Sequence, residues 1–453
     1  MIRVLAVSPS KDAMGAEQSL LNIAPLLATA EVDVTLAAPA GGTFEKRWRG
    51  LGLAFRALEI PERRGLRSPD GRRMRGSVEL ISLVWRTVRS ISRLMRVVRE
   101  TRAQVIHSNL LMTHLDCAVT GRLTRTGTVL ELHEIVAPGI GRWALGFAVR
   151  LSDSTIAISG ASRDQVPSWV RDKVIVIPQC VDVGRFETAA PSGEWRARLA
   201  DSPECPIVAA VGRVDPEKGL HVLVDAVARV RENGVPAQLA VVGSPGVDDG
   251  GYLTELVRVG TRLLGDALRI VPHVDDVAGV LGAVDVLACP SFEEPFGMIL
   301  LEAQVCQVPV VACRSGGPGE FIVDEETGLL VEPGDADGLA RAVQRPARGC
   351  GASRADRRGR RGTGPRRVRR AGACGPGGVP LSPARGGVTD AWSADDSRGD
   401  RDGGSLRVGR GMLVDRGRSD PAPGGDRRAE HVDDLGWRCD HARRRGLLPR
   451  SGP

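Results

Sequence analysis

Short apolar runs alternate with longer amphipathic stretches over the first three quarters of the chain. "IRVLAVS", "VDVTLAA", "VIHSN", "TVLELHE" and "STIAIS" have the length and β-branched content of buried strands. Between them, "GAEQSLLNIAPLLATA" and Val78–Arg99 carry the 3.6-residue period of helices. Another strand and a polar turn follow in "VIVIPQCVDVGRF" (Val174–Phe186). The alternation then restarts: "PIVAAVGRV", "AQLAVVGS", "ALRIVPHV", "VDVLACPS", "VPVVACRS" and "TGLLVEPG" read as strands, with helices such as Leu220–Asn233 and Met298–Gln304 between them. Strand–helix alternation of this kind predicts parallel, doubly wound sheets covered on both faces. Two such units in tandem, 1–185 and 186–345, would face each other across a cleft. Open α/β sheets bind ligands at the carboxyl ends of their strands.

The pattern stops near Arg345, inside the helical run "DADGLARAVQR". Residues 346–453 are dominated by Arg, Gly, Pro and Ala and contain no Lys, Ile, Phe, Tyr, Asn or Gln. A GC-rich coding sequence read out of frame gives this composition, and the stretch is expected to be a disordered tail without a function of its own. A nucleic-acid-binding tail is the other reading. It would repeat RGG units or interleave aromatics for stacking, and Trp392 and Trp437 are too sparse for that, so no nucleic-acid partner is expected. The net charge of +7 over 453 residues is largely this tail's arginine. Nine cysteines without a CxxC pair suggest reduced cytoplasmic thiols and neither a disulfide framework nor a zinc site. "MIRVLAVSPS" is too short and too poorly flanked for a signal peptide, and no run reaches the roughly 18 apolar residues of a membrane span. A cytoplasmic protein is expected, peripheral to the membrane at most.

Chemistry concentrates at strand ends. In "PSFEEPFGMILLEAQ", Glu294 and Glu302 flank a Phe296–Gly297 turn that opens a helix. The first amides of a helix have no internal acceptor and favour anions, so Phe296, Gly297, Met298 and Ile299 are candidates to hold a phosphate or a sugar oxygen. Ionised carboxylates only accept hydrogen bonds, which suits a ribose diol and sugar hydroxyls on either side of that phosphate. "VGRVDPEKGL" adds Arg213 and Lys218 just after a strand, fixed positive charge for a diphosphate that is also a leaving group. Gly316, Gly317 and Glu320 fit a turn and a helix cap. Asp335–Asp337 matches a metal-binding D-x-D in letters only, and capping accounts for Asp335. No metal and no cofactor are expected.

Together G-R-x-x-x-x-K-G, S-x-x-E-P-F-G-x-x-x-x-E-A and "SGGPGEFIVDEETGLLVEPGD" resemble a family 4 retaining glycosyltransferase of the GT-B fold, in which two Rossmann-like domains face a cleft. The resemblance is strongest over Ile207–Gln344 and looser over Met1–Phe186. It implies that Arg213 and Lys218 bind the diphosphate of a nucleotide-sugar donor, that Glu302 binds its ribose, and that Glu294 contacts the donor sugar. It places Gly15 and Ala16, in "MGAEQSLLNIAPLL", under the diphosphate and acceptor. His133 falls on a family histidine near the reacting centre, although "HE" replaces the more usual "HD". His107 and Ser159 lie at further strand ends on the acceptor side, the role of Ser159 being open. The implied reaction is sugar transfer with retention to a glycan or lipid-linked acceptor.

Val78–Arg99 is expected to bury Ile81, Val84, Val88, Ile91, Met95 and Val98 and to show Arg86, Arg89, Arg93 and Arg96. With the basic loop "ERRGLRSPDGRRMRG", this is either an ordinary sheet-covering helix or a patch for anionic lipid. A sugar-nucleotide epimerase on the same fold is an alternative. Another is an inactive sugar-nucleotide-binding relic, because the closing helices that brace such folds have no counterpart before the tail.

Overall fold

The structure, a computed structural model, describes residues 1–60, 77–187, 193–202, 204–246 and 250–349, with the backbone alone at 77–84 and 348–349. The basic loop upstream of residue 77, the side chains of Ile81 and Val84, and the arginine- and glycine-rich stretch beyond 349 lie outside the described residues.

The first lobe contains strands β1 (Ile2–Val7), β2 (Val32–Ala38), β3 (Ala54–Ala57), β4 (Val105–Ser108), β5 (Gly127–Leu132), β6 (Ser154–Ala157) and β7 (Val174–Val176). They form one parallel sheet in the order β3-β2-β1-β4-β5-β6-β7. Helices α1 (Gly15–Thr29) and α2 (Thr43–Gly50) connect strands on one side of β1. Helices α3 (Ser77–Thr101), α4 (Leu111–Thr124), α5 (Ile140–Leu151) and α6 (Gly160–Asp164) serve the other side. Right-handed crossovers put α1 and α2 on one face and α3 to α5 on the other. The cores agree. Leu20, Leu21, Phe44 and Trp48 pack on one face of the sheet, and Leu94, Val97, Val98 and Cys117 pack against Leu5, Val7 and Ile106 on the other.

Of the stripe expected on helix α3, Val98 is buried as read, but the rest of the buried row differs. Ser90, Leu94, Val97 and Val98 face the sheet, Val88 is exposed, and Ile91 and Met95 are half-buried. The expected stripe ran in steps that drift around the cylinder, and packing selected the neighbouring i, i+4, i+7 row.

The chain crosses through α7 (Val183–Glu187) and α8 (Gly193–Leu199) into the second lobe. Its strands are β8 (Ile207–Val211), β9 (Gln238–Val242), β10 (Leu268–Val271), β11 (Val286–Cys289), β12 (Val310–Cys313) and β13 (Leu329–Val331). They are parallel, in the order β10-β9-β8-β11-β12-β13. Helices α9 (Leu220–Glu232), α10 (Gly251–Leu264), α11 (Val277–Ala283), α12 (Met298–Val305), α13 (Pro318–Phe321) and α14 (Ala336–Gly349) complete it. Helix α14 continues past the compositional break at Arg345, and its Leu339, Val343 and Ala347 are buried in the core shared with α9. Asp335 caps it, accepting 2.8 Å from the amide of Gly338. Both sheets fall within one compact unit. Each strand order reverses once, between β1 and β4 and between β8 and β11, the crevice where such sheets hold ligands.

Candidate functional site

In the second lobe the β8–α9 and β11–α12 loops stand side by side at that reversal. The Arg213 guanidinium lies 2.6 Å from Asp215 Oδ2, and Lys218 Nζ lies 2.7 Å from Glu294 Oε2. The same Glu294 oxygen accepts from Ser291 Oγ at 2.9 Å. Two glycines allow this crowding. Gly219 has φ +61°, and a Cβ there would lie 2.2 Å from the Pro290 carbonyl oxygen; a Cβ on Gly317 would lie 2.4 Å from Phe296 Cα. The loops are stitched by Phe292 N to Glu217 O (2.9 Å), Glu294 N to Ser315 O (3.1 Å) and Gly317 N to Glu294 O (2.9 Å).

Burial pushes the Glu294 carboxyl up, but Lys218 and Ser291 outweigh it and hold the group below its ordinary range. Burial acts against the Lys218 ammonium as well, yet Glu294 raises it overall. Both are therefore charged at neutral pH. Burial raises the Cys289 thiol to about 12, so it stays protonated.

Gly297, at φ +96°, begins α12, and Met298 and Ile299 form its first turn, beside the buried Phe296. Glu302 follows one turn later, also buried. Burial raises its carboxyl to about 7, against the opposing pull of Arg185 on α7. Arg213, Lys218 and Glu294 thus converge at one reversal, while Glu302 stands further along α12 towards the crossover.

In the first lobe Gly15 and Ala16 open α1 beyond β1. The buried Glu17 folds back to accept 3.1 Å from the Met14 amide, and Asn109 Nδ2 donates 3.1 Å to the Ala16 carbonyl. His107 on β4 and His133 after β5 are joined by a residue that the motifs did not reveal. Glu131 lies 2.9 Å from His107 Nε2 and 3.2 Å from His133 Nε2. Gln179 Nε2 donates to Glu131 at 2.9 Å, and Ser19 Oγ on α1 donates to Gln179 Oε1. Ser159 is spent on its own helix: it caps α6, accepting 3.0 Å from Ser162 N. Glu320 bonds the first amides of that same helix, Gly160 and Ala161, at 2.9 Å each, and so joins the two lobes.

Asp215 was not singled out from the sequence, although its place two residues beyond Arg213 in "GRVDPEKG" is a signal that could have marked it as a partner. Glu131 and Gln179 offered none, because a buried polar residue on a strand end or a crossover leaves no periodic signal.

Two family models match consecutive parts of the chain, "Glycosyltransferase Family 4" over residues 13–185 and "Glycosyl transferases group 1" over residues 192–347. Similar curated proteins include the D-inositol 3-phosphate glycosyltransferase of Actinosynnema mirum, 37% identical over 206 residues, which are 43% of this chain and 49% of that one. The lipopolysaccharide core biosynthesis glycosyltransferase LpsE of Rhizobium meliloti is 38% identical over 151 residues, 33% of this chain and 42% of the relative. The chain thus spans about half or less of these relatives. Among solved structures, Anabaena HepE in complex with UDP and glucose superposes with a TM-score of 0.63, covering 78% of this chain and 93% of that one. At 22% identity that likeness carries the fold alone.

Proposed function

The chain belongs to the family 4 glycosyltransferases of the GT-B fold, and from that premise we propose that it transfers a sugar from a nucleotide-sugar donor to a glycan or lipid-linked acceptor with retention. The observation that carries this reading is the convergence of Arg213, Lys218 and Glu294 at the β8/β11 reversal, next to the start of α12. Fixed cations and helix amides suit a diphosphate, and buried carboxylates suit the hydroxyls on either side of it. In the proposed reaction the bond from the sugar's anomeric carbon to the diphosphate breaks. The acceptor oxygen bonds to that carbon on the same face, and the acceptor's proton passes to the departing phosphate oxygen. Arg213 and Lys218 stabilise the charge that develops there. Glu302 holds the ribose, Glu294 the donor sugar, and Gly15 and Ala16 admit the diphosphate from the opposite lobe. His107 and His133 face the acceptor side.

Neither a metal nor a cofactor is assigned a role, and chelation with EDTA is expected to leave turnover unchanged. A cytoplasmic location suits a user of nucleotide sugars and is supported by the free thiols of Cys117, Cys180, Cys205, Cys289, Cys306 and Cys313. No helix among the described residues is long and apolar enough to cross a membrane. Membrane contact is proposed through α3, where Arg86, Arg89 and Arg96 are exposed beside the exposed Trp85 and Val88. Arg93 is partly committed, donating 3.1 Å to the Glu59 carbonyl.

The test is a thermal-shift screen of uridine- and guanosine-diphosphate sugars, followed by proton NMR of the product's anomeric centre. A donor that raises the midpoint and yields product with the donor's anomeric configuration is expected. Inverted product, or no donor that binds, would overturn the reading.

A further inference from the structure

Glu131 is buried at the end of β5 and faces His107 at 2.9 Å and His133 at 3.2 Å, each through Nε2. Both of its carboxylate oxygens are engaged, since Oε1 also accepts from Gln179. Gln179 sits on the segment that leaves the first lobe, and its Oε1 is held by Ser19 of α1. Burial works against the Glu131 charge, yet His133 and His107 keep the carboxyl well below its ordinary range. A third imidazole, His114, is bonded elsewhere, with Nδ1 2.8 Å from Ser108 Oγ; burial first, and then the charges of His133 and His107, lower it to about 3, so it is neutral at working pH.

We infer that Glu131 is a positioning residue, one buried carboxylate that clamps the Nε2 edges of His107 and His133 and ties both rings through Gln179 and Ser19 to the helix that carries Gly15 and Ala16. The inference rests on the transferase reading, because the two rings are what Glu131 presents to the acceptor. A carboxylate only accepts hydrogen bonds. Standing 2.9 and 3.2 Å from the two Nε2 atoms, its negative charge favours the tautomer with hydrogen there and leaves Nδ1 as the nitrogen able to accept from a hydroxyl. The Ser19–Gln179 arm fixes the carboxylate's rotation, so the rings and the first turn of α1 keep one spacing.

A merely space-filling acid would tolerate its amide. Glu131→Gln keeps the shape but turns one accepting oxygen into an NH2 donor, so one of the two rings must present a bare nitrogen instead. Two measurements read this out. Long-range proton–nitrogen NMR of the imidazoles at pH 8 is expected to show Nε2–H on His107 and His133 in the wild type, and a change to Nδ1–H on at least one ring in Glu131→Gln. Turnover, followed as nucleoside diphosphate released from the best donor of the screen, is expected to fall roughly 10- to 100-fold, the range seen when the partner orienting a metal-bound histidine is lost. Donor Kd should stay within about twofold, because the Lys218–Glu294 site is untouched. Glu131→Asp, which keeps the charge, should recover part of the loss.

Turnover within about twofold of wild type in folded Glu131→Gln, or a donor Kd that weakens in step with kcat, overturns the proposal. So do rings that keep their tautomers. If the wild type neither binds nor turns over any nucleotide sugar, the transferase reading fails, and the NMR comparison still decides what Glu131 does to the rings. Should Glu131→Gln not fold, Ser19→Ala leaves every charge in place. It should lower kcat several-fold at unchanged donor Kd, and an unchanged kcat overturns the proposal.

Discussion

Lys218 and Glu294 compensate each other within a largely buried site, so removing one partner leaves the other without a counter-charge. Lys218→Met is expected to cost roughly 2–4 kcal/mol in urea denaturation, the cost of a stranded buried charge reduced for partial exposure. The double variant Lys218→Met with Glu294→Gln should regain most of that stability while donor binding by calorimetry stays lost. Recovery of binding would show that the pair is structural. Glu302 behaves differently because burial raises its carboxyl from 4.5 to about 7. A ribose diol donates to an ionised carboxylate, so donor affinity should rise as pH climbs through about 7, and Glu302→Gln should flatten the profile. The stability sign runs the other way. The fold favours the neutral form, so stability is lost between about pH 4.5 and 7, by at most about 3 kcal/mol. Glu302→Gln should accordingly unfold at higher urea than wild type at pH 8.

Helix α3 shows what periodicity reveals and what it leaves out. Its span and the burial of Val98 were readable from Val78–Arg99, but the inward placing of Leu94 and Val97 was fixed by the surface of β1 and β4, which a single helix does not encode. The buried strands, such as β5 and β11, were legible because both faces are covered and their runs are almost unbroken. The edge strand β3, "AFRA", buries only Phe55 and carries no such signal. Arg213, Lys218 and Glu294, which the structure brings together, were legible as a group for a related reason: each sits a few positions after a readable strand, in loops whose glycines mark close contact. Outward, α3 presents Trp85 with the Arg89 guanidinium 5.0 Å from its ring, and Val88 beside them. The proposed membrane contact rests on this face, since basic helix faces carrying aromatic side chains suit anionic bilayers. Replacing Arg86, Arg89 and Arg96 by serine should reduce co-sedimentation with vesicles containing phosphatidylserine several-fold at low salt. Unchanged co-sedimentation would reject the patch.

At the scale of the molecule, the two lobes meet where Glu320 holds the Gly160 and Ala161 amides. The sequence marked Glu320 as a helix cap; the helix it caps belongs to the other lobe, a pairing that no local pattern announces. An exposed cap contributes about 1 kcal/mol, enough to bias closure without locking it. Glu320→Ala should therefore enlarge the radius of gyration by small-angle scattering and lower kcat several-fold, with donor Kd nearly constant. An unchanged radius and rate would make the contact incidental.

The pairing of Lys218 with Glu294 and of Arg213 with Asp215 has a further consequence for the proposed diphosphate site. Sulfate or orthophosphate would have to pull Lys218 off Glu294 and Arg213 off Asp215 while offering those acids nothing to grip. A molecule bearing both anionic oxygens and a set of OH groups replaces every bond that it breaks. On the proposed reading the crevice would thereby screen out abundant inorganic ions through the company its own side chains already keep, before any shape is tested.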